Sequence, residues 1–114
     1  MLKIKKFYIY LANLNLKFGT EPGKIRPVIV VQTNLLNSKN HPSTIVCPLT
    51  TKIIKESKIL RVNLAKQKKL KEDSDILIDQ IRTIDNKRFI KEIGKVDLNI
   101  QKKILENLKY LILE

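Results

Sequence analysis

Apolar residues in the first stretch of the chain recur with a period of two. Phe7, Ile9 and Leu11 alternate with Tyr8, Tyr10 and Ala12, which predicts a strand from Phe7 to Asn13. Asn15 to Ile25 reads as a loop punctuated by Gly19, Pro22 and Gly23. Arg26-Pro27 then opens the run Val28-Ile29-Val30-Val31. Continuous β-branched character predicts a strand buried on both faces. Pro27 donates no hydrogen bond and belongs at the start of such a strand. Asn34 to Pro42 is a loop with room for one helical turn, and Thr44 to Leu49 a second buried strand. Ile59 to Leu64 and Ile76 to Ile81 are two more, with the lysine-rich Ala65 to Asp75 exposed between them. Thr83 to Arg88 reads as a turn, and Phe89 to Val96 as a short strand containing Gly94.

At Asp97, a residue suited to cap a helix, the period changes. Ile104, Leu105, Leu108, Leu111 and Ile112 recur at steps of three and four, while Lys102, Lys103, Glu106 and Lys109 fall opposite. That predicts a helix up to Leu113. The sum is a mainly β chain, a strongly curved antiparallel sheet closed barrel-like by a C-terminal helix, and 114 residues suffice for one domain.

Composition narrows the chemistry. The longest apolar runs are far too short to span a bilayer. The N-terminus lacks the apolar run and cleavage site of a signal peptide. One cysteine, Cys47, rules out an internal disulfide and a cysteine-based zinc site. With one histidine as well, His41, the chain lacks side chains for most transition-metal chemistry, and a reducing cytoplasm is its expected home. His41 in a polar loop is read as structural, and Cys47 inside an apolar strand as a small buried hydrophobe. The net charge of +12 suggests a polyanionic partner, although an AT-rich coding sequence would also raise lysine. Arginine is scarcer and more telling: Arg26, Arg61, Arg82 and Arg88 are the groups able to grip phosphate with two parallel hydrogen bonds.

Three segments, in order, resemble the MazF/PemK toxin family. Gly19-Thr20-Glu21-Pro22-Gly23-Lys24-Ile25-Arg26-Pro27 with Val28-Ile29-Val30-Val31-Gln32 is similar to that family's Gly-Ser-Glu-Gln-Gly-Gly-x-Arg-Pro loop and second strand. Val46-Cys47-Pro48-Leu49-Thr50-Thr51 is similar to its strand ending Pro-Leu/Ile-Thr-Ser. Asp73-Ser74-Asp75-Ile76-Leu77-Ile78-Asp79-Gln80-Ile81-Arg82-Thr83-Ile84-Asp85 is similar to Ser-x-Ile-Leu-x-x-Gln-Ile-Arg-Thr-Ile-Asp, the longest match and the most specific. The chain departs from the pattern at Pro22, Lys24, Ile25, Thr51 and Lys52, and has Phe7 where the family usually has Gly before the first strand.

The resemblance implies an SH3-like barrel, a homodimer, and an mRNA interferase that cuts single-stranded RNA at a specific sequence without metal, held in check by an acidic MazE-like antitoxin. In such a reaction the 2′-hydroxyl attacks the adjacent phosphorus. The site must accept a proton, stabilise charge on the non-bridging oxygens, and protonate the leaving 5′-oxygen. The resemblance places the catalytic arginine at Arg26, whose forked donors suit the phosphorane charge. It places the catalytic threonine at Thr50, a hydroxyl able to donate to phosphate or orient the 2′-hydroxyl but a weak base unless activated. Thr51 is the fallback. Glu21 is a further catalytic candidate that would neutralise Arg26, contact a base or accept a proton, or else is simply solvated. Arg26 is too weak an acid to serve readily as the base, so the proton acceptor stays open.

Lys24, Lys52 and Lys55 are candidate phosphate contacts that position RNA. Gln80 and Arg82, read as flanking Ile81 on one strand, would share a face and bind RNA. Equally, Arg82 would brace the turn by pairing with Asp85. The rival function is a CcdB-type toxin with the same barrel that poisons a topoisomerase by binding it. A plain basic RNA- or DNA-binding barrel is a third reading, disfavoured by few aromatics and no Trp to stack on bases.

Overall fold

The computed structural model describes residues 2–14, 24–56 and 60–114. Seven strands run β1 (Tyr8–Asn13), β2 (Ile25–Val30), β3 (Ser43–Thr50), β4 (Arg61–Leu64), β5 (Ser74–Leu77), β6 (Arg82–Asp85) and β7 (Phe89–Lys95). A one-turn helix α1 (Asn34–Asn37) precedes β3, and the helix α2 (Leu98–Leu113) ends the chain. Their pairing order is β4-β5-β3-β2-β1-β7, with β6 also paired to β3 and every ladder antiparallel. This is the expected curved, mainly β fold with a C-terminal helix; the sheet bends without β4 and β7 pairing to close it.

β2 is central, between β1 and β3, and is buried on both faces as its composition predicts. Ile29 joins a cluster with Ile9, Cys47, Leu49, Ile76 and Ile104. Val28 and Val30 join another with Tyr10, Ala12, Val46, Ile84 and Phe89. Helix α2 seals the first by burying Ile104, with Ile100 and Leu108 packed beside it. The N-terminal segment closes over the second: Ile4 packs on it, and Tyr10 Oη accepts from Lys5 N at 2.9 Å and donates to Lys3 O at 2.9 Å. Asp97 caps α2 through Ile100 N at 3.0 Å. The predicted apolar stripe is only partly covered, since Leu105, Leu111 and Ile112 remain exposed.

Two prolines explain why one long strand has three partners. Val31 N donates to Ile45 O at 3.0 Å, so odd-numbered residues of β2 aim their backbone groups at β3. In the observed register of Val28 with Pro48 and Val30 with Val46, the next bonded rung would join Pro27 to Leu49. Pro27 has no N–H, and the β2–β3 ladder ends at Val28. On the other edge, β3 pairs with β6 as far as Val46 and with β5 from Leu49. The bonded rung between them falls to Pro48, which again has no donor. Pro27 thus lies in the third position of β2, but at the start of its contact with β3.

Three sequence expectations are corrected, the first two by that break. Ile76 to Ile81 is not one strand: β5 ends at Leu77 and a 3₁₀ turn, Ile78–Gln80, carries the chain past the unpaired rung to β6. Thr83 to Arg88 is not a turn: Arg82–Asp85 is the strand β6, and only Asn86–Arg88 turns. In the lysine-rich Ala65 to Asp75, Leu70, Ser74 and Asp75 are buried. Phe7, just before β1, has φ of +68°, which explains why a glycine suits that position; its ring packs on the first core cluster.

Burial pushes the Cys47 thiol up from 9.0 to about 12. It pushes the Tyr10 phenol up from 10.0 to about 12, opposed in part by the Lys5 N–H. The fold favours the protonated form of both. Below about pH 9 both states hold these protons and pH has little leverage. As pH rises towards 12 the unfolded chain releases them first, so stability falls. The urea midpoint is expected to decline above about pH 9, and Cys47→Val to flatten the earlier part of that decline. A wild-type midpoint constant to pH 11 would contradict this assignment.

Candidate active site

The break between β2 and β3 also makes the site. Carrying the observed register two residues beyond Val28 and Pro48 sets Arg26 opposite Thr50. Facing residues of an antiparallel pair point the same way, so both lie on the Tyr10, Val28 and Val46 face of the sheet. No ladder rung closes the space between them, because β3 has turned towards β5: Thr50 pairs with Asp75. Both residues are half-buried. Arg26 stands on β2 with its other neighbour Ala12 on β1, a small residue that leaves room over the backbone. Thr50 Oγ1 accepts from Lys52 N at 3.2 Å, which occupies a lone pair and leaves the hydroxyl proton free to donate.

The other predicted residues divide. Lys24, Thr51, Lys52 and Lys55 are exposed on the segments leading into β2 and out of β3, so they flank Arg26 and Thr50. Lys24 O accepts from Leu14 N at 2.9 Å, one residue beyond the last β1–β2 pair, Asn13 with Ile25. Glu21 lies outside the described residues. Gln80 and Arg82 do not share a strand: Gln80 is exposed on the 3₁₀ turn, and Arg82 opens β6 opposite Val46. Arg82 shares the Arg26 face, but is four residues, about 13 Å, along β3 from Thr50. It does not brace the turn through Asp85. Asp85 instead accepts from Lys87 N at 2.8 Å, and the ion pair among the described residues is Arg61–Asp75.

Arg88, one of the four arginines singled out in the sequence, lies near the site, as do three lysines that the sequence reading passed over. Arg88 donates to Asn13 O at 3.0 Å, at the end of β1 and one residue from Phe89, the partner of Ala12. A groove of about 360 Å³ is lined by Thr50 and Thr51 together with Lys69, Lys71 and Lys91, and by Leu11, Pro27 and Leu49 among its apolar residues. Lys69 and Lys71 flank the buried Leu70, which anchors a tight turn through Gln67 N to Leu70 O at 2.9 Å. Their spacing alone carries no signal that the turn folds back beside β3.

A strongly basic chain folded as a curved antiparallel sheet closed by a C-terminal helix is the class of protein that the comparisons then narrow. The sequence pattern of the PemK-like, MazF-like toxins of type II toxin–antitoxin systems matches residues 5–112. The chain is 36% identical over 107 residues to the endoribonuclease EndoA of Bacillus subtilis (strain 168), covering 93% of this chain and 91% of that one. Its fold is similar to MazF in a MazE–MazF structure from Deinococcus radiodurans, with a TM-score of 0.81 at 18% identity over 98% of this chain and 97% of that one. It is also similar to the Mycobacterium tuberculosis toxin MazF-mt6, with a TM-score of 0.74 at 19% identity over 90% and 93% of the two chains. The chain belongs to the PemK-like, MazF-like toxin family.

Proposed function

We propose that this chain is a ribonuclease toxin that cuts single-stranded RNA at a specific sequence, without metal, in the cytoplasm. The observation that carries the reading is the β2–β3 register, which ends at Val28 and Pro48 and, extended two residues, sets Arg26 towards Thr50, in a family whose B. subtilis relative is named an endoribonuclease. The 2′-oxygen attacks phosphorus and loses its proton. The bond from phosphorus to the 5′-oxygen breaks, leaving a 2′,3′-cyclic phosphate and a 5′-hydroxyl that has taken a proton. Arg26 supplies forked donors to the non-bridging oxygens, and Thr50 a second, neutral donor. Lys24, Lys52 and Lys55 hold flanking phosphates, and Gln80 and Arg82 bind RNA farther from the cut. Purified protein incubated with a long RNA in EDTA should give discrete fragments with those ends. A 2′-deoxy substitution at the cut site should block cleavage. Intact RNA with a stalled topoisomerase would overturn this reading in favour of a binding toxin.

The working unit in this reading is a homodimer inhibited by an acidic antitoxin. The uncovered Leu105, Leu111 and Ile112 on α2 support a second copy, since one chain leaves them in water. Sedimentation equilibrium at micromolar concentration should return twice the chain mass. The +12 charge supports an acidic inhibitory tail whose carboxylates take the places of RNA phosphates. Its association rate should fall steeply with salt while dissociation changes much less. RNA affinity left unchanged by saturating antitoxin tail would show that inhibition works elsewhere.

A further inference from the structure

Thr50 is the last residue of β3, and the residues that follow it are exposed. Lys52, Ile53 and Ile54 are exposed, and a cavity of about 700 Å³ opens between this segment and α2. Yet the Thr50 hydroxyl takes its orientation from Lys52 N, so whatever holds Lys52 holds the hydroxyl. Two side chains from the floor of that cavity do so. Arg61 Nη1 on β4 donates to Lys52 O at 2.9 Å. Asp75 Oδ2 on β5 accepts from Ile54 N at 3.0 Å. The two side chains bond each other at 3.3 Å, and Asn63 Nδ2 donates to the second Asp75 oxygen at 3.2 Å.

We propose that the Arg61–Asp75 pair is a positioning device for Thr50, clamping the exposed segment after β3 so that the hydroxyl faces Arg26. The inference rests on the ribonuclease reading above. Asp75 is 2% exposed, and a buried carboxylate is costly unless every oxygen is satisfied. Its neighbours along β5, Ile76 and Leu77, are apolar, and an apolar residue would serve that strand without the cost. Replacing a buried pair by apolar residues often leaves stability unchanged. What an apolar pair does not supply is a donor for Lys52 O and an acceptor for Ile54 N. The benefit of the ionic pair therefore falls on the geometry of residues 50–54. Neither residue touches the scissile phosphate in this account; each acts through Thr50.

The experiment is a split between turnover and binding, made on the full chain. In the double variant Arg61→Met/Asp75→Leu, kcat on a defined RNA should fall at least about ten-fold, as expected when one oriented donor is displaced. The Kd for the same RNA with a 2′-deoxy cut site should stay within about two-fold, because the surface cations are untouched. Circular dichroism and the thermal midpoint should match the wild type. Arg61→Lys, with one ammonium in place of the fork, should recover part of kcat. Should the double variant not fold, Asp75→Asn alone gives the same readout, because it leaves no buried charge, and the Arg61 guanidinium it releases is the partner that reaches water. Wild-type kcat in the variants that fold overturns the proposal, as does a loss of kcat matched by an equal loss of affinity. A wild-type chain that leaves RNA intact is a separate result, and overturns the ribonuclease reading beneath it.

Discussion

Arg26→Ala is expected to abolish RNA cleavage, lowering kcat/KM by at least about a thousand-fold while the fold persists. The effect is large because the extended register sets the guanidinium towards Thr50, and Arg82, the other arginine on this face among the described residues, stands four residues away opposite Val46. Arg26→Lys should fail nearly as badly. An ammonium is a point donor, whereas two phosphate oxygens gaining charge together require a fork. Thr50→Ala removes only a neutral donor and should cost less, about 10². Stability should change by less than about 1 kcal/mol in Arg26→Ala, because Arg26 is half-buried at the end of a strand whose core contacts begin at Val28. Cleavage timed on a defined RNA, with thermal melts of both proteins, checks each part. Full activity in a folded Arg26→Ala protein would remove Arg26 from the site.

Ile29→Ala should cost about 2–5 kcal/mol of stability, the largest effect expected of a single truncation in the sheet. Ile29 stands in the central strand with Ile9 on one side and Cys47 on the other, and all three have no exposed surface. Truncation leaves a cavity walled by backbone on both edges, so the surroundings collapse poorly. The urea midpoint should drop with m unchanged, and the thermal midpoint by more than about 10 °C. Leu105→Ala on the exposed side of α2 makes the contrast: in the separate chain it should cost well under 1 kcal/mol. A drop of less than about 1 kcal/mol in Ile29→Ala would mean that β2 is not the centre of the core.

Both residues were legible in the sequence, for different reasons. Ile29 sits in an uninterrupted β-branched run that only a strand covered on both faces accommodates. Arg26 and Thr50 were named by motif, but nothing local says that residues 24 apart face each other; that follows from the register of β2 and β3. The misread stretch from Ile76 to Arg88 has the same physical origin. Ile76 to Ile81 is apolar enough for one strand, yet it breaks because Pro48, thirty residues earlier, denies it a rung. Thr83 to Asp85 is polar enough for a turn, yet pairs with Ser43 to Ile45. The burial of Asp75 was equally hidden: its partner Arg61 lies on another strand, and a lysine-rich neighbourhood reads as solvent-facing.

The two prolines have a consequence for the company this sheet keeps. An opening in a sheet ordinarily exposes a row of backbone donors and acceptors, and such an edge recruits strands from other chains into aggregates. Here the rung at the opening has lost its donor to Pro27, and the rung on the far edge of β3 has lost its donor to Pro48. An incoming strand would find carbonyls with no matching N–H and could not continue the ladder. A polyanion needs no ladder, only side-chain donors, and Arg26 and Thr50 provide them. In the ribonuclease reading proposed above, the opening would therefore discriminate between visitors by the kind of hydrogen bond they require, turning away the backbone of other proteins and admitting phosphate.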